Sequence, residues 1–259
     1  MKIGVFDSGL GGLTIVKTML ENLHGAEIVY IADTANAPYG EKTQKQIIDF
    51  SSKITQYFID AFHIDVLVIA CNTATSAAIK ELRAKYKNLI IIGTEPGLKP
   101  AISHSKSKKV GVLATPATLN GEKYKLLKSK LSKQYKVDLF EQACPGLVQQ
   151  IENGELDTPK TLSMLENWLA PMREAGVDTI VLGCTHYPLV GESIKKVMHN
   201  DINLIETSHA ITKRVNELCC DTLCKASVNS LKIFATGDIS KNMIETILGK
   251  KYDAEHLTF

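Results

Sequence analysis

The sequence lacks the features that mark membrane, secreted and nucleic-acid-binding proteins. No uncharged apolar run approaches the ~18 to 20 residues needed to cross a bilayer. The opening stretch "MKIGVFDSG" is interrupted by Asp7, so a secretory signal is not expected. Net charge is only +2, from 30 basic and 28 acidic residues, which is too balanced to indicate a membrane or nucleic-acid partner. We therefore expect a cytoplasmic protein without either kind of partner.

Motifs for cofactors and metals are also missing. The glycines in "FDSGLGG" are not followed by GK[ST] and do not have GxGxxG spacing, so they are a weak match to a phosphate-binding loop. Six cysteines are present, and without a secretory signal they are interpreted as reduced thiols. The group Cys219, Cys220 and Cys224 is interpreted as packing residues rather than metal ligands, as is Cys144. No metal is expected.

The chain of 259 residues, 44% of them hydrophobic, is long enough for two modest domains with real cores. Short apolar runs such as "EIVYIAD", "DVLVIAC" and "NLIIIGT" alternate with stretches of helical spacing, including 44–62 and 76–86. Strand, polar turn and helix in this alternation predict an α/β protein with mostly parallel sheets. Active groups in such proteins gather at the carboxyl ends of the strands.

The same pattern restarts near Lys109. "KVGVLATPAT" aligns with "KIGVFDSGLG", and "TIVLGCTHYP" aligns with "VLVIACNTAT", in the same order and at similar offsets. This repeat predicts two similar, pseudosymmetric domains, each a mostly parallel sheet flanked by helices, with the active site in the crevice between them. The predicted bounds are residues 1–94 with 208–259 for one domain, where the last segment returns, and 95–207 for the other.

Two cysteines, Cys71 and Cys184, occupy the matching positions in this repeat. Each follows a predicted β run and precedes a predicted helix start, where backbone amides favour a thiolate or a bound carboxylate. Neither has a nearby CxxC or HxxxH partner for redox or zinc chemistry, and cysteine-protease chemistry would leave the duplication unexplained. Two thiols on opposite faces of one ligand would instead suit inversion of a carbon stereocentre, with one thiolate as base and the opposing thiol as acid.

Four motifs carry a resemblance to a known family: "FDSGLGG" at 6–12, "DTANAPYG" at 33–40, "ACNTAT" at 70–75 and "LGCTHYPL" at 182–189, with a family-like tail at "ATGD". Together they resemble glutamate racemase. The resemblance implies interconversion of L- and D-glutamate by two cysteines, without pyridoxal phosphate or metal, in a two-domain α/β fold that usually dimerises. It also implies supply of D-glutamate for bacterial peptidoglycan.

Roles follow by position from this resemblance. Cys71 resembles the thiol that takes the proton from D-glutamate, and Cys184 the thiol that acts on L-glutamate. Asp7 and His186 match auxiliary acid–base residues beside Cys71 and Cys184, and Asp33 and Glu152 match acidic residues kept near the site. Residues matching the glutamate-binding positions are Ser8, Pro38, Tyr39, Gly40, Asn72, Thr73, Thr115, Thr118 and Thr185.

Two positions depart from the family pattern, since Ala32 and Asn36 stand where glycine and a basic residue are usual. The motifs define the chemistry more sharply than the pocket. A racemase of the same architecture acting on aspartate or a hydantoin is therefore an alternative, with Thr118 and the backbone of Tyr39 and Gly40 expected to decide between them. A second alternative is a binding protein, since some glutamate racemases inhibit DNA gyrase, although the near-neutral charge gives it no support.

Overall fold

The computed structural model describes residues 1–199, 202–219 and 228–259. Ten strands occur in these ranges: β1 (Lys2–Asp7), β2 (Glu27–Ala32), β3 (Val66–Ile69), β4 (Ile90–Gly93), β5 (Lys109–Ala114), β6 (Asp138–Ala143), β7 (Thr179–Gly183), β8 (Asn203–Ile205), β9 (Ser230–Ala235) and β10 (Ala254–His256). The α-helices are α1 (Leu13–Asn22), α2 (Gln44–Tyr57), α3 (Asn72–Lys85), α4 (Leu98–His104), α5 (Pro116–Asn120), α6 (Glu122–Tyr135), α7 (Leu147–Glu152), α8 (Pro159–Glu174), α9 (Gly191–Val197), α10 (Ser208–Cys219) and α11 (Lys241–Leu248).

These elements form two compact units. The first comprises Met1–Thr94 and Thr207–Phe259, and the second comprises Glu95–Glu206. Each unit contains one sheet whose paired strands are all parallel, as the alternation of strands and helices predicted. The predicted α/β class is therefore confirmed.

The two sheets share a strand order. The first runs β10-β9-β2-β1-β3-β4 and the second runs β6-β5-β7-β8. When β9 and β10 are left out, the first sheet has the order β2-β1-β3-β4. The second sheet, β6-β5-β7-β8, has the same order, since in both sheets the first strand in the chain lies between the second and the third. β1 therefore corresponds to β5, and β3 to β7, as the aligned sequence pairs place them. The returning segment adds β9 to the first sheet beside β2.

Fully buried strands explain the continuous apolar runs. All four residues of β3 and all five of β7 are buried, because helices cover both faces of a parallel sheet. Local signals set the helix starts. Thr43 and Gln46 form a capping box at α2, and Thr158 caps α8 with Pro159 at its first position.

Several packing predictions can be compared with the structure. The amphipathic spacing of Leu162, Leu165, Trp168 and Leu169 predicts one buried helix face, and this is confirmed, since Leu165 and Leu169 of α8 are fully buried and Leu162 and Trp168 pack against the same core. Cys144 and Cys219 are buried, as expected of packing residues, whereas Cys220 and Cys224 lie outside the described residues. Helix α2 and the π-helical turn Phe58–Phe62 together cover the predicted 44–62 stretch, while α3 begins at Asn72, four residues before the predicted start.

No helix among the described residues is long and apolar enough to cross a membrane.

Candidate active site

The carboxyl edge of the first sheet gathers the predicted residues of the first unit. β1 ends at Asp7, β2 at Ala32 and β9 at Ala235, and these three residues are in register. The next residues therefore leave the sheet at the same edge, as the rule for parallel strands predicts. We call the residues at this edge the first half-site: Asp7, Ser8, Asp33, Pro38, Tyr39, Gly40, Cys71, Asn72 and Thr73.

Cys71 lies directly before α3 and is its N-terminal cap. Its Sγ accepts a hydrogen bond from the amide of Ala74 at 3.4 Å, and the residue is 6% exposed. Asn72 and Thr73, in the first turn, are also buried, and Asn72 Nδ2 donates to the carbonyl of Thr94 at 3.4 Å. The predicted placement of this cysteine at a helix start is confirmed.

Asp7 is linked to Cys71 through Ser8. The amide and hydroxyl of Ser8 donate to Asp7 Oδ1 at 2.6 and 3.2 Å, and Ser8 Oγ lies 3.9 Å from Cys71 Sγ. Asp7 is fully buried. A carboxylate, a hydroxyl and a thiol in sequence form a polar chain along which a proton could move.

Tyr39 directs its side chain toward Asp33. Its hydroxyl donates to Asp33 Oδ2 at 2.5 Å. Burial raises the pKa of Tyr39 well above its usual value, and the negative charge and hydrogen bond of Asp33 raise it further, with smaller contributions from Cys71 and Asp7. The phenol therefore stays protonated, and its hydroxyl hydrogen is used by the Asp33 carboxylate.

Asn36, which stands where the family usually has a basic residue, is a hydrogen-bond partner of Asp33. Its Nδ2 donates to both carboxylate oxygens of Asp33, at 3.0 and 3.1 Å. A neutral amide therefore occupies the place of the usual basic residue and still satisfies the carboxylate.

The second half-site lies at the carboxyl edge of the second sheet. β5 and β7 are adjacent strands that end at Ala114 and Gly183, and the residues after them belong to this half-site: Thr115, Thr118, Cys184, Thr185 and His186, together with Glu152 at the end of α7. Thr115 caps α5 by accepting from the amide of Thr118 at 3.2 Å, and its hydroxyl donates to Thr118 Oγ1 at 3.0 Å.

Cys184 has a different local environment from Cys71. It is 8% exposed, and its Sγ lies 3.7 Å from His186 Nδ1. The chain after it forms a short 3₁₀ turn at Tyr187–Val190 before α9 begins at Gly191. Cys184 therefore precedes a helical segment, as predicted, but that segment begins three residues later as a 3₁₀ turn with Pro188 in its first positions, and α9 follows it.

His186 connects Cys184 to Glu152. Its Nε2 is 2.5 Å from Glu152 Oε1, while the imidazole itself is 2% exposed. Burial lowers the pKa of His186, but its hydrogen bonds to Cys184 and Glu152 and the charges of both outweigh burial and hold the pKa well above its ordinary value. The raised pKa favours the protonated ring, in which one nitrogen faces the Cys184 thiol and the other faces the Glu152 carboxylate.

The nearby Cys144 is not an alternative nucleophile. Burial raises the pKa of its thiol to about 12, so the group stays neutral. It lies in the core of the second unit with Leu147 and Tyr187.

Sequence reasoning missed two residues that organise the first half-site. Tyr30 Oη donates to the carbonyl of Gly9 at 2.5 Å, and Thr236 Oγ1 donates to Asp33 Oδ1 at 2.7 Å. Tyr30 lies inside an apolar strand, where an aromatic residue gives no sign of a polar role. Thr236 lies in the "ATGD" tail that forms part of the resemblance, and this motif was the sequence feature that could have indicated a role near the site.

No three His, Cys, Asp or Glu side chains are grouped to hold a metal ion within the described ranges 1–199, 202–219 and 228–259.

Comparison with known proteins identifies the class. Residues 3–215 match the Asp/Glu/Hydantoin racemase family. The chain is 56% identical over 257 residues to the glutamate racemase of Sulfurovum sp. (strain NBC37-1), covering 98% of this chain and 96% of that one. It is 57% identical over 253 residues to the glutamate racemase of Aliarcobacter butzleri (strain RM4018), covering 97% of each. It also resembles the crystal structure of glutamate racemase from Francisella tularensis in complex with D-glutamate, with TM-score 0.84, 30% identity and coverage of 99% of this chain and 97% of that one.

The chain belongs to the Asp/Glu/Hydantoin racemase family. It is an amino-acid racemase, and the resemblance to glutamate racemase drawn from its four motifs is confirmed.

Proposed function

We propose that the protein interconverts L- and D-glutamate by transfer of the Cα proton between two cysteines, without an added cofactor. The observation that carries this proposal is the repeated placement of a buried thiol. The two sheets share a strand order, and a cysteine follows the corresponding strand in each: Cys71 follows β3 and Cys184 follows β7. Inversion at carbon needs one group on each face of the substrate, and a duplicated thiol supplies two groups of the same chemistry.

In this mechanism Cys71, as thiolate, takes the proton from D-glutamate, and Cys184, as thiol, delivers a proton to the opposite face. The roles reverse for L-glutamate. Asp7 acts through Ser8 beside Cys71, and His186 acts beside Cys184. Positioned proton transfer typically contributes about 10²- to 10⁴-fold to a rate.

Hydrogen bonds to the substrate carboxylates must provide much of the remaining acceleration, because the Cα proton of an amino acid is very weakly acidic. Asn72, Thr73 and Thr185 immediately follow the two cysteines and are the proposed donors to the α-carboxylate. The backbone of Tyr39 and Gly40, with Thr118, is the proposed site of the side-chain carboxylate.

Glutamate is favoured over aspartate and hydantoins by the named activity of the two relatives at 56% and 57% identity. The same relationship supports a role in supplying D-glutamate for peptidoglycan, a cytoplasmic location and a homodimer. These three proposals concern the cellular context and not the chemistry.

The proposal is tested with the purified protein and D-glutamate in D₂O without added pyridoxal phosphate or metal, in the presence of a chelator. We expect ellipticity to decay to zero while deuterium replaces the Cα proton in the NMR spectrum. Aspartate and a hydantoin are measured in parallel. Exchange of either of these while glutamate stays unchanged would reassign the substrate, and exchange that requires pyridoxal phosphate would reject the cofactor-independent mechanism.

A further inference from the structure

The returning segment of the chain reaches the first half-site through the residues after β9. β9 pairs with β2, so Ala235 lies opposite Ala32, and the amide of Thr236 donates to the carbonyl of Ala32 at 3.0 Å. This register places Thr236 beside Asp33, although 203 residues separate the two in sequence.

Thr236 makes two hydrogen bonds with one hydroxyl. Its Oγ1 donates to Asp33 Oδ1 at 2.7 Å and accepts from the amide of Ala35 at 3.1 Å. The amide of Gly237 donates to Thr34 Oγ1 at 2.9 Å. These three bonds fix the short 3₁₀ turn Thr34–Asn36 that leads to Tyr39.

Close approach of the two segments depends on Gly237. A Cβ at this position would lie 3.0 Å from the amide nitrogen of Ala35 and 3.2 Å from Thr34 Oγ1. These contacts are tighter than ordinary packing allows, so a side chain there would push the turn away from the returning segment.

The buried Asp33 carboxylate joins this contact to Tyr39. It is 1% exposed and accepts from Thr236, from Asn36 through both oxygens, and from the hydroxyl of Tyr39. All these donors are neutral, so the carboxylate depends on their hydrogen bonds for compensation of its burial. Loss of one donor would allow the carboxylate to turn and would shift Tyr39 with it.

We infer that Thr236 is a positioning residue for substrate recognition, which holds Asp33, and through it the Tyr39–Gly40 backbone, in the geometry that receives the side-chain carboxylate of glutamate. The inference rests on the proposed function. Thr236 itself does not touch the reacting atoms.

The test compares Thr236→Val, which keeps the shape and removes the hydroxyl, with Thr236→Ser, which keeps the hydroxyl. Hydrogen bonds to charged groups contribute on the order of tenfold or more in an equilibrium. We expect Thr236→Val to raise the KM for D-glutamate on the order of tenfold with a smaller change in kcat, and Thr236→Ser to retain a KM near that of the wild type.

Thr18→Val is the matched control. Thr18 is also a buried threonine whose hydroxyl bonds the first part of the chain to the returning segment. Its Oγ1 donates to Ser208 Oγ at 2.9 Å, but this bond joins α1 to α10 and does not involve Asp33. We expect it to lower the thermal midpoint without raising KM. Amide hydrogen exchange of the peptide spanning 33–41 should accelerate in Thr236→Val and not in Thr18→Val.

Each outcome decides a separate claim. An unchanged KM in Thr236→Val, an equal rise in Thr18→Val, or no recovery in Thr236→Ser would overturn the inference. A wild-type protein that does not racemise glutamate would overturn the proposed function instead. In that case unchanged exchange at 33–41 in Thr236→Val would also overturn the positioning role, and faster exchange would support it.

Discussion

Glu152 Oε1 lies 2.5 Å from His186 Nε2, and the other nitrogen of the same ring lies 3.7 Å from Cys184 Sγ. Cys184 therefore contacts an imidazole ring that is itself held by the carboxylate of Glu152. Cys71 instead contacts the hydroxyl of Ser8, which donates a hydrogen bond to Asp7. The two thiols have equivalent positions in matching sheets but different supporting groups.

The Glu152–His186 pair predicts the pH dependence of a Glu152→Gln variant. Glu152 helps to hold the pKa of His186 well above its ordinary value, so removal of its charge lowers that pKa. If His186 must be protonated to support Cys184, the alkaline fall in kcat/KM moves to lower pH. The pH profile of kcat/KM should shift equally for the two substrates. Enantiomers have the same free energy in water, so the equilibrium constant is one at every pH and kcat/KM must be equal in the two directions. The measurement is kcat/KM against pH for L- and D-glutamate.

Glu192→Gln provides the control for this prediction. It removes the same charge from an exposed side chain that pairs with Lys195 in the same unit, and its pH profile should match that of the wild type. An alkaline limb that stays in place in Glu152→Gln would contradict the role given to His186.

Replacement of either cysteine by alanine should abolish racemisation and leave exchange at one face only. In D₂O, Cys184→Ala should wash the Cα proton out of D-glutamate with retention, and Cys71→Ala should do so for L-glutamate, because each remaining thiol reaches one face. Racemisation should be lost because no group remains to donate a proton to the second face, and positioned proton transfer contributes about 10²- to 10⁴-fold to a rate. NMR follows the exchange and circular dichroism follows the inversion.

The control for the cysteine variants is Cys219→Ala, which removes a buried thiol from α10, outside both half-sites. It should racemise at the rate of the wild type. Two-way turnover in Cys71→Ala or Cys184→Ala would refute the two-base mechanism.

The sequence predicted the parallel sheets and the thiols at their edges because both depend on local patterns. Buried runs such as 66–69 end at a strand terminus, and the cysteine follows immediately. The polar contacts behind the thiols depend on tertiary register instead. Thr236 meets Asp33 only because β9 pairs with β2, and Glu152 meets His186 only because α7 ends beside the turn after β7. Neither contact leaves a periodic signal in the chain.

Tyr30 is a further residue of this kind, and its hydroxyl should stabilise the loop that carries Ser8. The group is buried, donates to the carbonyl of Gly9 at 2.5 Å, and lies 2.9 Å from the point where a Cβ would stand at Gly12. Tyr30→Phe leaves that carbonyl without this donor, so we expect a loss of about 1 to 2 kcal/mol in the free energy of unfolding. We also expect a lower kcat, because Ser8 links Asp7 to Cys71. Urea denaturation and steady-state kinetics measure the two effects.

Tyr86→Phe separates the loop effect from the general effect of losing a phenol. Tyr86 Oη donates to the carbonyl of Ser52 at 3.2 Å on the same unit, in a partly exposed position. This variant should lose less stability and keep its kcat. A Tyr30→Phe variant with unchanged kcat would show that the loop does not need this hydrogen bond.

Asp178 should make the second unit sensitive to acid. Burial raises the pKa of this carboxyl, but hydrogen bonds from Ser105, Ser107, Thr179 and Lys106 outweigh burial and lower the pKa below its usual value. The donor distances are 2.6 Å from Ser105 Oγ, 2.7 and 2.8 Å from the amides of Ser107 and Lys106, and 3.0 Å from Thr179 Oγ1. The segment Ser105–Ser107 is thus held to the residue directly before β7.

Because the pKa of Asp178 is lower in the folded state, its contribution to stability is present above the unfolded value of about 3.9 and is lost as the pH falls through the folded value. Asp178→Asn should therefore cost about 1 kcal/mol at pH 7, since the site is partly exposed to solvent. The difference from the wild type should shrink below about pH 4. Urea unfolding at the two pH values measures it, and Asp138→Asn at the exposed start of β6 is the control. A difference that persists undiminished in acid would mean that the loss comes from replacing an acceptor oxygen by an amide NH₂ group and not from removing the charge.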